Sequence, residues 1–136
     1  MARLILDTTV LVDAEREGAA ALEGFVDDRD DVAIAAISAA ELGVGVELAS
    51  GGRRARREEF LAAVLGAVRV EEYDLEVARA HSILLAHTRR TGRPRGAHDL
   101  IIAATARARG REIVSADSDG FEGLPEVALR SAGPPA

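Results

Sequence analysis

The chain has 136 residues, a length typical of one domain, and 48% of them are hydrophobic while only 3% are aromatic, so the core must be aliphatic. The absence of cysteine excludes disulfides, thiolate catalysis and the common structural zinc sites. The net charge of −6 argues against nucleic-acid binding by global charge, but it does not exclude a local basic surface built from the 17 arginines. No apolar run is long enough for a membrane span or a secretory signal, and we therefore expect a cytoplasmic protein.

The first third of the chain predicts two buried strands separated by short helices. Residues 4–6 form an apolar run typical of a strand buried on both faces, and Asp7 follows at its end. Apolar residues at helical spacing predict helices over residues 8–17 and 19–26. A second apolar run at residues 32–37 predicts the next strand.

The middle of the chain begins with a helix start signal. Ser38 and Glu41 have the S-x-x-E spacing of a capping box, in which each side chain satisfies a backbone donor of the other residue. Residues 50–52 interrupt this helix, and an arginine-rich segment then starts another. Residues 68–70 predict a brief strand, and Asp74 is expected to cap the long helix that follows.

The last third contains the clearest loop, at residues 91–96, which leads into a strongly apolar helix over residues 97–106. Asp99 lies near the start of that helix. Residues 112–115 predict the last central strand, and Asp117 follows it closely.

Strands that alternate with helices predict an α/β fold, a three-layer α/β/α sandwich around a mostly parallel central sheet. Residues 127–129 are expected to add an edge strand. We predict a single domain over residues 1–130 and a flexible C-terminal tail over residues 131–136.

Four acids are expected at one edge of this sheet. Asp7 and Asp117 follow strands, Glu41 lies in the first turn of the helix after the second strand, and Asp99 lies near a helix start. The carboxyl ends of parallel strands share one edge, where open α/β sheets bind their ligands. Clustered carboxylates raise one another's pKa unless a cation compensates, and Mg²⁺ or Mn²⁺ accepts such oxygen ligands. The placement therefore predicts a cation site.

Each of these acids also has a purely structural interpretation. Asp7 can cap the helix that follows it, and the capping box alone explains Glu41. Asp99 can interact favourably with a helix dipole, and Asp117 fits ordinary turn chemistry. Spacing by itself leaves these alternatives open.

Four motifs occur in a fixed order along the chain: LDTTVLVD at 6–13, SAAEL at 38–42, HDLIIAATA at 98–106 and VSADSDGF at 114–121. Together they resemble the signature of PIN-domain nucleases, and in particular the VapC toxins of bacterial toxin–antitoxin pairs. The resemblance covers essentially the whole chain as far as Phe121. Two small departures from the family pattern are Ser115, where Thr is common, and Asp117, where many relatives have Asn.

The resemblance implies a PIN-like fold whose catalytic centre is formed by the four acids already named, Asp7, Glu41, Asp99 and Asp117. It implies that Asp7, Asp99 and Asp117 bind Mg²⁺, for which Mn²⁺ can substitute. It also implies supporting positions near the metal for Thr9, Ser38 and Asp119.

The activity implied by the resemblance is that of a metal-dependent endoribonuclease toxin that cuts structured RNA, commonly tRNA or rRNA. A cognate VapB-like antitoxin would inhibit it by inserting a segment into the cleft, and the toxin would form a homodimer. We expect Arg93 and Arg95 to bind the RNA backbone, because a guanidinium can hold two phosphate oxygens. The alternative for these arginines is a solvated surface or a docking site for acidic antitoxin residues. His98 is interpreted as a surface histidine.

Rival classes are less consistent with the chain. A receiver domain ordinarily needs a lysine beside its acyl phosphate, and the sequence contains none. A haloacid-dehalogenase-like phosphatase would carry a second Asp at the position of Thr9. A non-catalytic RNA- or protein-binding domain on the same fold is the remaining alternative, and the presence of all four acids argues against it.

Overall fold

A five-stranded sheet lies at the centre of the protein in this computed structural model, which describes residues 1–18 and 26–130. The helix expected at 19–26 and the tail expected at 131–136 fall outside the described residues, apart from residue 26. The strands are β1 (Arg3–Leu6), β2 (Asp31–Ala35), β3 (Arg69–Glu71), β4 (Glu112–Val114) and β5 (Leu129–Arg130). The helices are α1 (Thr8–Glu17), α2 (Ala36–Glu47), α3 (Gly51–Ala67), α4 (Leu75–Thr91) and α5 (Ala97–Arg109).

Strand β1 occupies the middle of the sheet, whose order is β3-β2-β1-β4-β5. Every pair of neighbouring strands is parallel, and Leu6 of β1 lies opposite Ile34 of β2 on one side and Val114 of β4 on the other. The predicted parallel sheet is confirmed. Because all the carboxyl ends point the same way, the residues that follow β1 and β4 are neighbours.

Alternate residues of the strands face opposite helical layers. Leu4 and Leu6 belong to a core that includes Leu11 of α1, whereas Ile5 belongs to a core with Leu84 of α4 and other residues of α4 and α5. Burying an aliphatic side chain of this size contributes about 1.5–3 kcal/mol. The alternation therefore fixes the register of the sheet and confirms the three-layer α/β/α arrangement. No helix in the described ranges is long and apolar enough to cross a membrane.

The predicted capping box at Ser38 is wrong. Helix α2 begins two residues earlier, at Ala36, and the residue before it, Ala35, provides no side-chain cap. Ser38 is instead fully buried inside the first turn. Ser38 and Glu41 instead both contact the hydroxyl of Thr8.

At the N-terminal ends of the central strands, Arg111 is buried with only 1% of its side chain exposed. Its Nη1 donates to the carbonyl oxygens of Leu4 and Asp31 at 3.2 and 3.0 Å and to Asp31 Oδ1 at 3.2 Å. A buried guanidinium in this position ties the loop before β4 to β1 and β2.

Arg111→Met is expected to lower the free energy of unfolding by about 2 kcal/mol, because hydrogen bonds to a charged donor are lost in a buried place. Arg3→Met is the matched control: Arg3 pairs with the same Asp31, at 3.1 Å, but its side chain is 48% exposed. An exposed pair of this kind contributes only about 0–1 kcal/mol. Urea denaturation of both variants measures the difference, and equal losses would contradict the assigned role of burial.

Candidate active site

Asp7 lies at the end of β1 and is almost fully buried, with 3% of its surface exposed. Its backbone N–H donates to the carbonyl of Val114 at 2.9 Å, which extends the pairing of β1 with β4. Although Asp7 occupies the position before α1, its side chain makes no capping hydrogen bond. Thr9 Oγ1 and Ser115 Oγ both donate to Asp7 Oδ2, at 2.7 and 2.6 Å. Two hydroxyls therefore fix the carboxylate, and the capping interpretation of Asp7 is wrong.

Glu41 is held through both of its carboxylate oxygens. Thr8 Oγ1 donates to Glu41 Oε1 at 2.9 Å and lies 3.0 Å from Ser38 Oγ. His98 Nδ1 lies 3.4 Å from Glu41 Oε2, so this half-exposed histidine belongs to the rim of the site. Thr8 is a site residue that the sequence prediction missed. Its only sequence signal is its position between Asp7 and Thr9.

Asp99 lies in the first turn of α5. Its carboxylate lies close to the backbone of two glycines, Gly96 and Gly120. A methyl group in the Cβ position of Gly120 would lie 2.5 Å from Asp99 Oδ2, and one on Gly96 would lie 3.0 Å from the same oxygen. The first distance is shorter than any real contact of a Cβ atom. The backbone of Gly120 thus packs directly on the carboxylate, and only glycine fits there without moving it.

Burial raises the pKa of Asp99, and repulsion by the charges of Asp7, Glu41 and Asp117 raises it further, while His98 opposes the shift. The charges of Asp7, Glu41 and Asp117 thus lie within electrostatic reach of Asp99. Their mutual repulsion destabilises the charged form of Asp99.

The acids face a cleft of about 270 Å³, lined by Asp7, Glu41 and Asp99 and walled on one side by α1. Asp13 and Arg16 of α1 line this wall, and the sequence reasoning missed both. Among residues 1–18 and 26–130, no three acids or imidazoles are gathered closely enough to hold a metal ion by themselves.

Four other predicted residues do not line this cleft: Asp117, Asp119, Arg93 and Arg95. Asp117 is exposed, and its backbone N–H donates to Ser115 Oγ at 3.0 Å. Asp119 is also exposed, on a short 3-10 turn at Ser118–Gly120, and does not line the cleft. Arg93 is exposed, whereas Arg95 donates from Nη1 to the carbonyl of Gly120 at 3.1 Å and from Nη2 to the carbonyl of Glu122. The prediction of RNA binding thus applies most directly to Arg93.

Comparisons with known proteins identify the family of this fold. The family model described as the PIN domain matches residues 4–127. The chain is 32% identical over 128 residues to the VapC ribonuclease Y4jK of Sinorhizobium fredii, covering 88% of this chain and 90% of that protein. The fold and the acid cluster define a PIN-domain protein.

Solved structures give the same result. A chain of the VapBC-5 toxin–antitoxin structure from Mycobacterium tuberculosis superimposes with a TM-score of 0.78 at 31% identity, covering 96% of this chain and 100% of that one. A chain of VapBC2 from Rickettsia felis, solved with a promoter DNA fragment, gives a TM-score of 0.84 at 21% identity over 94% of this chain and 97% of that one, a likeness of fold alone. The chain belongs to the VapC group of the PIN-domain family, as its four motifs predicted.

Proposed function

We propose that this protein is a Mg²⁺-dependent endoribonuclease and the toxin of a VapBC-type toxin–antitoxin pair. The observation that carries the proposal is the convergence of Asp7, Glu41 and Asp99 on one cleft. The charges of Asp7, Glu41 and the exposed Asp117 raise the pKa of Asp99. Folding keeps these groups together at an energetic cost, which a bound cation would offset. The ribonuclease activity named for the Sinorhizobium fredii relative agrees with this assignment.

The donor set fits Mg²⁺, with Mn²⁺ as a substitute. Mg²⁺ usually keeps several waters and binds through one or two carboxylates together with substrate phosphate, so it does not need a closed cage of protein ligands. Asp7 and Asp99 both line the cleft and are the proposed direct ligands. Asp117 is exposed and does not line the cleft, and its proposed contribution is its negative charge. Both hydroxyl contacts of Asp7 go to Oδ2, and among the described residues Oδ1 accepts no hydrogen bond. That oxygen is free to bind a cation.

The chain's own residues then divide the work of hydrolysis. Thr9 and Ser115 keep Asp7 in one orientation, and Thr8 does the same for Glu41. When bound, Mg²⁺ would polarise the phosphate and offset the charge that develops as the phosphodiester is displaced in line. Arg16 on the cleft wall and the exposed Arg93 supply positive charge for the RNA backbone of an otherwise acidic protein.

The substrate and partners follow from the same family. We propose structured RNA, such as tRNA or rRNA, as the substrate and the cytoplasm as the place of action. We also propose a VapB-like antitoxin as the inhibitor and a homodimer as the toxin's own assembly. Support comes from the neighbouring solved structures, several of which are VapBC toxin–antitoxin complexes.

Incubation of the purified protein with labelled tRNA and rRNA tests the activity. Cleavage is expected in Mg²⁺ or Mn²⁺, loss to background is expected after chelation with EDTA, and full recovery is expected when either ion is added back. These results follow if a carboxylate-bound ion is needed for phosphodiester displacement. RNA that is bound but never cut in either ion would instead identify a non-catalytic binding domain and contradict the proposal.

A further inference from the structure

Arg95 joins the loop before α5 to the turn that follows β4. Its Nη1 donates to the carbonyl of Gly120 at 3.1 Å, and its Nη2 donates to the carbonyl of Glu122. The two acceptors are 25 and 27 residues away along the chain. The planar guanidinium can hold both carbonyls at once because its N–H groups form a rigid fork.

The position of Arg95 carries an energetic cost. Burial lowers the pKa of Arg95, and the nearby charge of Arg93 lowers it further, with Glu122 opposing. Its Nε is buried and, among the described residues, has no hydrogen-bond partner. An arginine whose only role is to bind phosphate would be expected to have an exposed guanidinium, as Arg93 has. The contacts of this partly exposed side chain thus indicate a structural role for Arg95.

The turn that Arg95 holds is the one that packs on Asp99. Gly120, whose carbonyl accepts from Arg95, leaves no room for a Cβ beside Asp99 Oδ2. The same turn begins directly after Asp117, and Arg95 itself lies four residues before Asp99. One side chain therefore connects the segments that carry two of the four acids.

We infer that Arg95 is a positioning residue, which sets the placement of Asp99 relative to Asp117 by holding the Gly120–Glu122 turn against the start of α5. The inference rests on the proposed function, since these acids are the proposed ion ligands. It replaces an RNA contact as the main role of Arg95, because its donors already serve two carbonyls. A positioning role affects ion binding and turnover, whereas a phosphate contact affects the binding of RNA.

Three variants separate these roles: Arg95→Met removes both donors to the turn, Arg95→Lys keeps the charge but not the fork, and Arg93→Met removes the neighbouring exposed charge. Each is measured for kcat and KM on RNA, for Mn²⁺ affinity without RNA, and for thermal unfolding. Loss of a group that orients metal ligands typically costs about 10–100-fold in metal affinity or activity. We expect a loss of that size in kcat and in Mn²⁺ affinity for Arg95→Met, with KM changed by less than about threefold. Arg95→Lys should fall between Arg95→Met and the wild type, while Arg93→Met should mainly raise KM.

An Arg95→Met protein with wild-type kcat and Mn²⁺ affinity, changed only in KM, would overturn the inference. If Arg95→Met does not fold, Arg95→Lys decides by the same criteria, since it keeps the charge. A wild-type protein that neither binds Mn²⁺ nor cleaves RNA would overturn the proposed function and this inference together. A wild type that does both, with Arg95 variants identical to it, would overturn the inference alone.

Discussion

Asp99→Asn is expected to lower kcat for RNA cleavage by about 10³, because the loss of a carboxylate beside the ion removes several kcal/mol of charge stabilisation and each 1.36 kcal/mol is tenfold in rate. The amide has the shape of the carboxylate, so the space left by Gly96 and Gly120 still fits it. The effect should therefore appear in turnover and ion binding and leave the fold unchanged. Single-turnover cleavage at saturating Mg²⁺ measures it.

The same substitution should raise the melting temperature in EDTA, which distinguishes it from a simple loss of structure. Burial and three neighbouring acids disfavour the charge of Asp99, so a neutral side chain relieves that repulsion. Mg²⁺ should raise the melting temperature of the wild type, because a ligand that binds the folded state stabilises it. The same ion should hardly change the melting temperature of Asp99→Asn, because this variant lacks one of the proposed ligands.

Asp13→Asn is the matched control for Asp99. Asp13 lines the same cleft from α1 but is not one of the four clustered acids. We expect the kcat of Asp13→Asn to stay within about threefold of the wild type, because Asp13 is not among the acids whose charges repel that of Asp99. If both variants lost activity equally, the special role of Asp99 would be wrong, and so it would be if Asp99→Asn cleaved normally.

Gly120→Ala is expected to lower kcat by about 10², the cost of misplacing a catalytic group by roughly 1 Å. The added methyl would lie 2.5 Å from Asp99 Oδ2, so either the carboxylate rotates or the turn moves away. The backbone of Gly120 does not require glycine, because its φ is not among the positive values. The effect must therefore come from the contact with Asp99.

Gly66→Ala provides the control for that contact. Gly66 lies in α3, and a Cβ there would meet nothing within 4 Å. Alanine in a helix is favoured over glycine by about 1 kcal/mol, so this variant should be fully active and slightly more stable. Retention of wild-type kcat by Gly120→Ala would show that Asp99 tolerates displacement.

The fold could be predicted because its signals are local. The aliphatic run before Asp7 and the helical spacing of residues 8–17 gave β1 and α1 almost residue by residue. The predicted bounds of the short strands β3 and β5 differ from the observed bounds by one or two residues, since the positions of such brief segments are fixed by pairing with their neighbours. The apolar run at residues 32–37 predicts one strand, yet β2 ends at Ala35 and α2 begins at Ala36.

The site could be predicted only in part. Asp7 and Asp117 both contact the hydroxyl of Ser115, and this proximity follows from parallel topology because both residues come after neighbouring strands. The contacts of Thr8 with Ser38 and Glu41 join residues 30 and 33 positions apart, so local spacing suggested a helix cap instead. The acceptors of Arg95 are backbone carbonyls, which carry no sequence signal at all.

The central position of β1 determines when the acid cluster can be completed. Its partner β2 follows within about 30 residues, but β4 and Ser115, whose hydroxyl donates to Asp7, come more than a hundred residues later. A chain emerging from the ribosome folds from its N-terminal end. Asp7 is therefore synthesised long before Asp99, Ser115 and Asp117, the residues that complete its surroundings. The site can therefore be assembled only after residue 117 has been synthesised, more than a hundred residues after Asp7.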